Sequence, residues 1–128
     1  MASRDVEIVK AAWDAYAAND VERTFRYLSP DIVWYPAPGH PGPRVYRGHD
    51  EIYGWLADIA ASFSTYRMQV TGFRDLGDCV LAHGTLYAER DGVAVIDRVT
   101  TWRCFVRDDA IVRVDADVVP ADEHGAPG

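Results

Sequence analysis

Asp97, Tyr16 and His40 are the side chains whose types and settings suit proton transfer. Asp97 lies in a β-prone run, and the two-residue period of a strand puts it on one face with Val99, Thr101 and Arg103. A carboxylate desolvated on such a face rises toward neutrality and becomes a general acid or base. Pairing with Arg98 or Arg103 would instead hold it ionised and structural. Tyr16 belongs to the apolar stripe of a helix, either as a donor to a substrate oxygen or as a core tyrosine with its hydroxyl satisfied nearby. His40 stands in a proline-rich loop, where a near-neutral imidazole suits a base and where an exposed histidine without a role is the alternative.

Other chemistries find little support. His49 opens a helix and reads as structural, while His83 shares a face with Leu81, Thr85 and Tyr87 and reads as a subunit contact. The four histidines, at 40, 49, 83 and 124, have no ligand spacing among themselves, so no metal is expected. No glycine-rich dinucleotide or phosphate motif occurs, nor the serine-hydrolase elbow, and no cofactor is expected. Cys79 and Cys104 fall in strand-like runs and read as free thiols in a reducing, cytoplasmic setting, with a bridge between neighbouring strands as the alternative.

Charge and length narrow the class further. Twenty acidic against 13 basic residues give a net charge of −7, with no Lys/Arg cluster to neutralise phosphates, so nucleic acid is not an expected partner. Apolar runs are only a handful of residues, far short of the roughly 20 that span a bilayer. The opening MASRDVEIVK is charged and amphipathic, so neither signal peptide nor membrane anchor is expected. With 48% hydrophobic and 26% charged residues, the 128-residue chain reads as one soluble globular domain over 1–119, followed by a flexible tail over 120–128.

The elements that must position these residues are readable from periodicity. Val6, Val9, Trp13, Tyr16 and Ala17 recur at helical steps, predicting a helix over 6–18. Asn19-Asp20 breaks it and caps a second, 21–28, which Ser29-Pro30 ends. Residues 31–35 read as a strand, and 36–43 as a stiff surface loop. A third helix follows Gly48 to about Ser62, with Ile52, Trp55, Leu56 and Ile59 on its buried face. Four long β-prone runs, 65–76, 79–90, 93–107 and 110–119, are separated by Gly77-Asp78, Asp91-Gly92 and Asp108-Asp109, predicting an antiparallel meander. Strands this long twist and curl, and the concave face needs the helices to fill it.

This order, with the words Tyr16-Ala17-Ala18-Asn19-Asp20-Val21, Ser29-Pro30-Asp31-Ile32-Val33-Trp34, Tyr46-Arg47-Gly48-His49-Asp50-Glu51-Ile52 and Asp108-Asp109-Ala110-Ile111-Val112, resembles the nuclear transport factor two-like superfamily. Within it the chain is most similar to the SnoaL-like polyketide cyclase and ketosteroid isomerase branch. The resemblance implies an α+β, cystatin-like cone: three N-terminal helices on a curled, mostly antiparallel sheet enclosing a pocket, often in a homodimer joined by the outer sheet face. It turns Trp34 and the set Ala82, Gly84, Leu86 and Ala88 inward. It also assigns the face of Asp97 and Thr101 to the pocket and places His40 near the pocket mouth.

Carried over residue by residue, familiar active sites change. The ketosteroid isomerase tyrosine, base and protonated aspartate fall on Ala12, Pro36 and Thr101. The limonene epoxide hydrolase arginine and aspartates fall on Gly84, Leu86 and Val119. The polyketide cyclase aspartate falls on Ala116, flanked by Asp115 and Asp117, either of which a one-residue bulge would bring inward. The scytalone dehydratase Tyr-Asp pair falls on Tyr16-Ala17.

The leading expectation is therefore a cofactor-independent isomerase, cyclase or dehydratase acting by proton transfer on an apolar polycyclic or terpenoid-like molecule. Asp97, Tyr16, His40 and Asp117 are its candidate catalytic residues, and Trp34, Trp55, Leu56, Thr101 and Ala116 its candidate substrate contacts. The aromatics among these are equally open to a plain core role. A non-catalytic binding or assembly module of the same fold is the alternative reading, and a hydrolase with His40 as base the third.

Overall fold

A computed structural model describes residues 3–38, 40 and 42–119. Helix α1, Arg4–Ala17, begins where the Ser3 hydroxyl accepts the Val6 N–H at 3.1 Å, with Asp5 and Glu7 in its first turn. Its buried stripe is Ile8, Val9, Ala12, Trp13 and Ala15. Asn19 turns left-handed at φ 61°, and the Asp20 carboxylate then caps α2, Val21–Arg26, by accepting the Arg23 N–H at 3.1 Å.

Strand β1, Leu28–Tyr35, starts earlier than the sequence predicts. Leu28 ends no helix, because it pairs in parallel with Ile111, whose N–H donates to the Tyr27 carbonyl at 2.8 Å. Pro30 is accommodated because the ladder slips between Leu28 and Val33. A two-residue strand that periodicity could not reveal, β2 at Tyr46–Arg47, pairs with Val33 and Trp34 and leads into α3, Gly48–Ser62.

The meander is β3 Thr65–Asp75, β4 Val80–Arg90, β5 Val93–Arg107 and β6 Ala110–Val118. With β1 parallel to β6, the six strands run β2-β1-β6-β5-β4-β3. Asp91-Gly92 and Asp108-Asp109 both hold positive φ at two successive residues, as a tight twisted hairpin requires. Each of three pairings contains an extra residue: Thr71 in β3, Val95 in β5 and Val112 in β6. These bulges bend the long strands so that the sheet curls round the helices. The expected α+β cone is the architecture observed. The expected tail at 120–128 lies outside the described residues.

One continuous core fills the concave side. Ala82, Leu86 and Ala88 of β4 are buried there with Thr100 and Trp102 of β5. Gly84 shares that face, although its role is not to leave room for a ligand: a Cβ there would lie 1.8 Å from the Gln69 carbonyl oxygen, so β3 itself occupies the space. Cys79 and Cys104 are both buried free thiols, and desolvation pushes the pKa of each up, making them inert.

Candidate functional site

The four tryptophans and one tyrosine form a continuous aromatic line through the cone. Trp102 meets Trp13 at 5.6 Å between ring centroids, Trp13 meets Trp34 at 6.2 Å, and Trp34 meets Trp55 at 5.5 Å. Tyr46 stacks on Trp55 at 5.0 Å. Beneath these rings lies a cavity of about 40 Å³, lined by Trp13, Tyr16, Trp34, Trp55, Leu56 and Met68 among others, with no charged residue in its wall. Trp34, Trp55 and Leu56, expected from the sequence as substrate contacts, line this cavity, but their own bulk leaves much less room than the roughly 300 to 1,000 Å³ of common ligand pockets.

Polar groups gather at one side of this wall. His40, anchored by its N–H to the Ala37 carbonyl at 3.1 Å, turns its ring inward. Its Nε2 shares a 2.9 Å hydrogen bond with the Tyr66 hydroxyl, and the ring stands edge-on to Trp55 at 5.7 Å. The loop histidine is thus half-buried and partnered. Tyr66 stands on the inner face of β3 with Met68 and Val70, opposite Ala88. Burial raises its pKa, and the nearby Tyr16 and Tyr46 hydroxyls raise it further.

Tyr16, in the last turn of α1, has its pKa pushed up to about 12 by burial. Desolvation also raises Tyr46, helped by Asp58. At neutral pH these phenols therefore remain protonated and act as hydrogen-bond donors, beside an imidazole able to accept a proton. Besides a groove of about 540 Å³ that runs from Tyr16 and Tyr66 to Arg67, three more open grooves meet at the cluster. One, of about 470 Å³, runs past Tyr16, Tyr66 and Leu56. Another, of about 390 Å³, joins His40 to Arg98, and a third, of about 250 Å³, joins His40 to Asp58.

The acids are elsewhere. Asp97 and Thr101 pair with Tyr87 and His83 on the outer face of the sheet, where Asp97 is exposed. Burial of Trp102 and Cys104 against the helices fixes the phase of β5, and the one-residue offset puts Asp97, Thr101 and Arg103 outside. The expected pocket position of Asp97 and Thr101 is thereby corrected. Asp117 is corrected for a related reason: the bulge in β6 falls at Val112, so residues 114–118 alternate without interruption.

Asp115 is held outside by a bidentate bond from Arg113 at 2.8 and 3.0 Å, and Asp117 accepts the Val118 N–H at 2.9 Å. Ala116 does face inward, opposite Trp102 and against the core, away from the cavity wall. His83 lies outside, its ring over Gly72. Among the described residues no three metal-ligating side chains converge.

Tyr66 and Trp13 are the site residues that sequence reasoning missed as functional. The alternation of Tyr66 with Met68 and Val70 was the available signal for the first, and the helix stripe for the second.

A family model described as a SnoaL-like domain matches residues 9–114. No curated protein matches the chain. Among solved structures it is similar to TerC co-crystallised with polyporic acid, at 20% identity over 95% of this chain and 96% of that one, with a TM-score of 0.79. An NTF2-like protein from Burkholderia thailandensis matches at 20% identity over 93% and 92%, TM-score 0.82. An LEH-like epoxide hydrolase from M. tuberculosis matches at 17% over 91% and 83%, TM-score 0.71. At these identities the likeness is one of fold.

Proposed function

The chain belongs to the SnoaL-like domain family, and from that premise we propose that it is a cofactor-independent enzyme performing proton transfer on an apolar, uncharged small molecule, in an isomerisation, cyclisation or dehydration. The observation that carries the reading is the His40 Nε2 to Tyr66 hydroxyl hydrogen bond of 2.9 Å, made beside the Trp55 ring at the edge of the aromatic cavity. His40 is the proton acceptor. Tyr16, kept protonated by burial, donates to the substrate oxygen as it becomes anionic, and the Tyr66 hydroxyl holds the His40 ring in place. Trp34, Trp55 and Leu56 orient the substrate. A second copy of the chain pairs through the outer sheet face.

Exchange of α-protons of 2-tetralone in D2O, followed by NMR, tests this. The wild type is expected to accelerate exchange, with the rate falling as the pH is lowered and the imidazole charges. His40→Ala is expected to lose about a hundredfold of that acceleration, within the range of general-base catalysis. Asp97→Asn should leave it unchanged. No acceleration by the wild type, or full acceleration by His40→Ala, sinks the proposal.

One observation favours a second reading, a binding or assembly module without chemistry: the interior is packed by its own tryptophans down to about 40 Å³. Bound ketone with no exchange above background is the outcome that reading expects.

A further inference from the structure

Trp13 and Trp55 are 7% and 4% exposed, and in both the indole Nε1–H is buried without a hydrogen-bond partner among the described residues. Two such donors within one small core are unusual, because each forfeits its bond to water without replacement. Both rings line the same 40 Å³ cavity, together with Tyr16. An apolar core would have used phenylalanine at these positions. We propose that this cavity is the recognition site for an uncharged hydrogen-bond acceptor, the carbonyl oxygen of a flat apolar ketone or lactone, which takes the Trp13 and Trp55 indole N–H bonds.

Charge argues for a neutral acceptor. No cation lines the cavity, and the chain carries a net charge of −7, so a carboxylate would lose its hydration there without a counter-charge. Arg98 lies on the His40 groove and Arg67 on a groove of about 540 Å³ that shares Trp13, Tyr16 and Met68 with the cavity, and neither lines the cavity itself. Size argues for a carbonyl head with the body left in a groove. Tyr16, Thr24 and Leu56 line both the cavity and the 470 Å³ groove, so they form the wall between the two. Movement of the Tyr16 and Leu56 side chains joins them, and places the oxygen among the indoles with the apolar body against Leu56, Ile59 and Phe63.

This inference rests on the reading of the cavity as a ligand site, and names what that site selects. The test uses three matched probes: 2-acetonaphthone, 2-ethylnaphthalene and 2-naphthoate. The ketone is expected to bind about five- to tenfold more tightly than the hydrocarbon, as one or two neutral hydrogen bonds allow, and more tightly than the naphthoate. In the wild type, the Trp13 and Trp55 indole N–H resonances are expected to move with the ketone and to move less with the hydrocarbon. Trp55→Phe should reduce ketone affinity to that of the hydrocarbon while leaving the hydrocarbon unchanged.

The wild-type resonances decide the matter if that variant does not fold. Equal affinity for all three probes, no binding of any, or naphthoate binding that Arg98→Gln abolishes overturns the proposal. So do unmoved indole resonances, which would leave a trapped water as the acceptor. Ketone binding through the indoles without α-proton exchange would support this inference while removing the proposed catalysis. Exchange with indole-independent binding would do the reverse.

Discussion

The two faces of one sheet hold opposite solutions to the same problem of placing polar groups. On the outer face Asp97, Asp115 and Asp117 stand in or near water with Arg67, Arg103 and Arg113. Their interactions there are loose: the Arg113 guanidinium lies over the Tyr35 and Phe105 rings at 5.0 and 5.6 Å while binding Asp115, and Arg67 lies over Tyr87 at 5.4 Å. Around the cavity on the inner face the polar atoms are neutral and few: indole N–H groups and the Tyr16 phenol, with the His40 imidazole beside them and Arg98 out on the His40 groove. The chain has 20 acidic residues, yet among the described residues none lines the 40 Å³ cavity. The proposed proton transfer therefore rests on histidine and tyrosine, while these three acids stand on the surface.

The contrast is sharpest in stability. Trp102 is 2% exposed at the centre of the aromatic line, and Trp102→Ala is expected to lower the unfolding free energy by about 3–5 kcal/mol. Asp97→Ala, further along the same ladder and facing outward, should change it by no more than about 0.5 kcal/mol. Urea denaturation of both variants measures the difference. Comparable losses would mean that the phase of β5 is not the one described.

That phase is also where the sequence stopped being readable. The hairpins at Asp91-Gly92 and Asp108-Asp109, the helix stripe around Trp13 and the strand bounds are local signals, and the molecule has them. Inner and outer faces of β5 are not local, because Thr100 and Trp102 compete with Val99 and Thr101 for the core and both sets contain residues that pack well. Only the tertiary fit of Trp102 against Trp13 decides between them. The bulges at Val95 and Val112 are set by the curvature of the whole sheet, and nothing in their residue types marks them. For the same reason the His40 to Tyr66 bond, between a loop and a distant strand, was out of reach, although both residues were visible.

A smaller effect separates the faces in alkaline solution. Burial raises Tyr16 from 10 to about 12, so the folded protein keeps a proton that the unfolded chain releases. Stability from this group is complete below about pH 10 and is lost as pH rises toward 12, by about 3 kcal/mol in all. Tyr66 is raised by the same burial and adds to the loss beginning in that window. Tyr16→Phe should flatten the fall in urea midpoint between pH 9 and 11 relative to the wild type. A variant curve parallel to the wild type would show that the Tyr16 hydroxyl is hydrated.

The smallest effect belongs to the best-formed ion pair on the outer face. Arg113 and Asp115 make a bidentate contact, yet their side chains are 51% and 31% exposed, so water already solvates both and salt screens the attraction. Asp115→Asn is expected to cost less than about 1 kcal/mol, and less still at 1 M salt, measured by urea unfolding at two ionic strengths. It should leave the affinity for 2-acetonaphthone untouched, because the sheet backbone and the Trp102 layer stand between this pair and the cavity. A change in ketone affinity as large as that from Trp55→Phe would mean that the two faces are coupled through β6, and that the outer acids reach the chemistry after all.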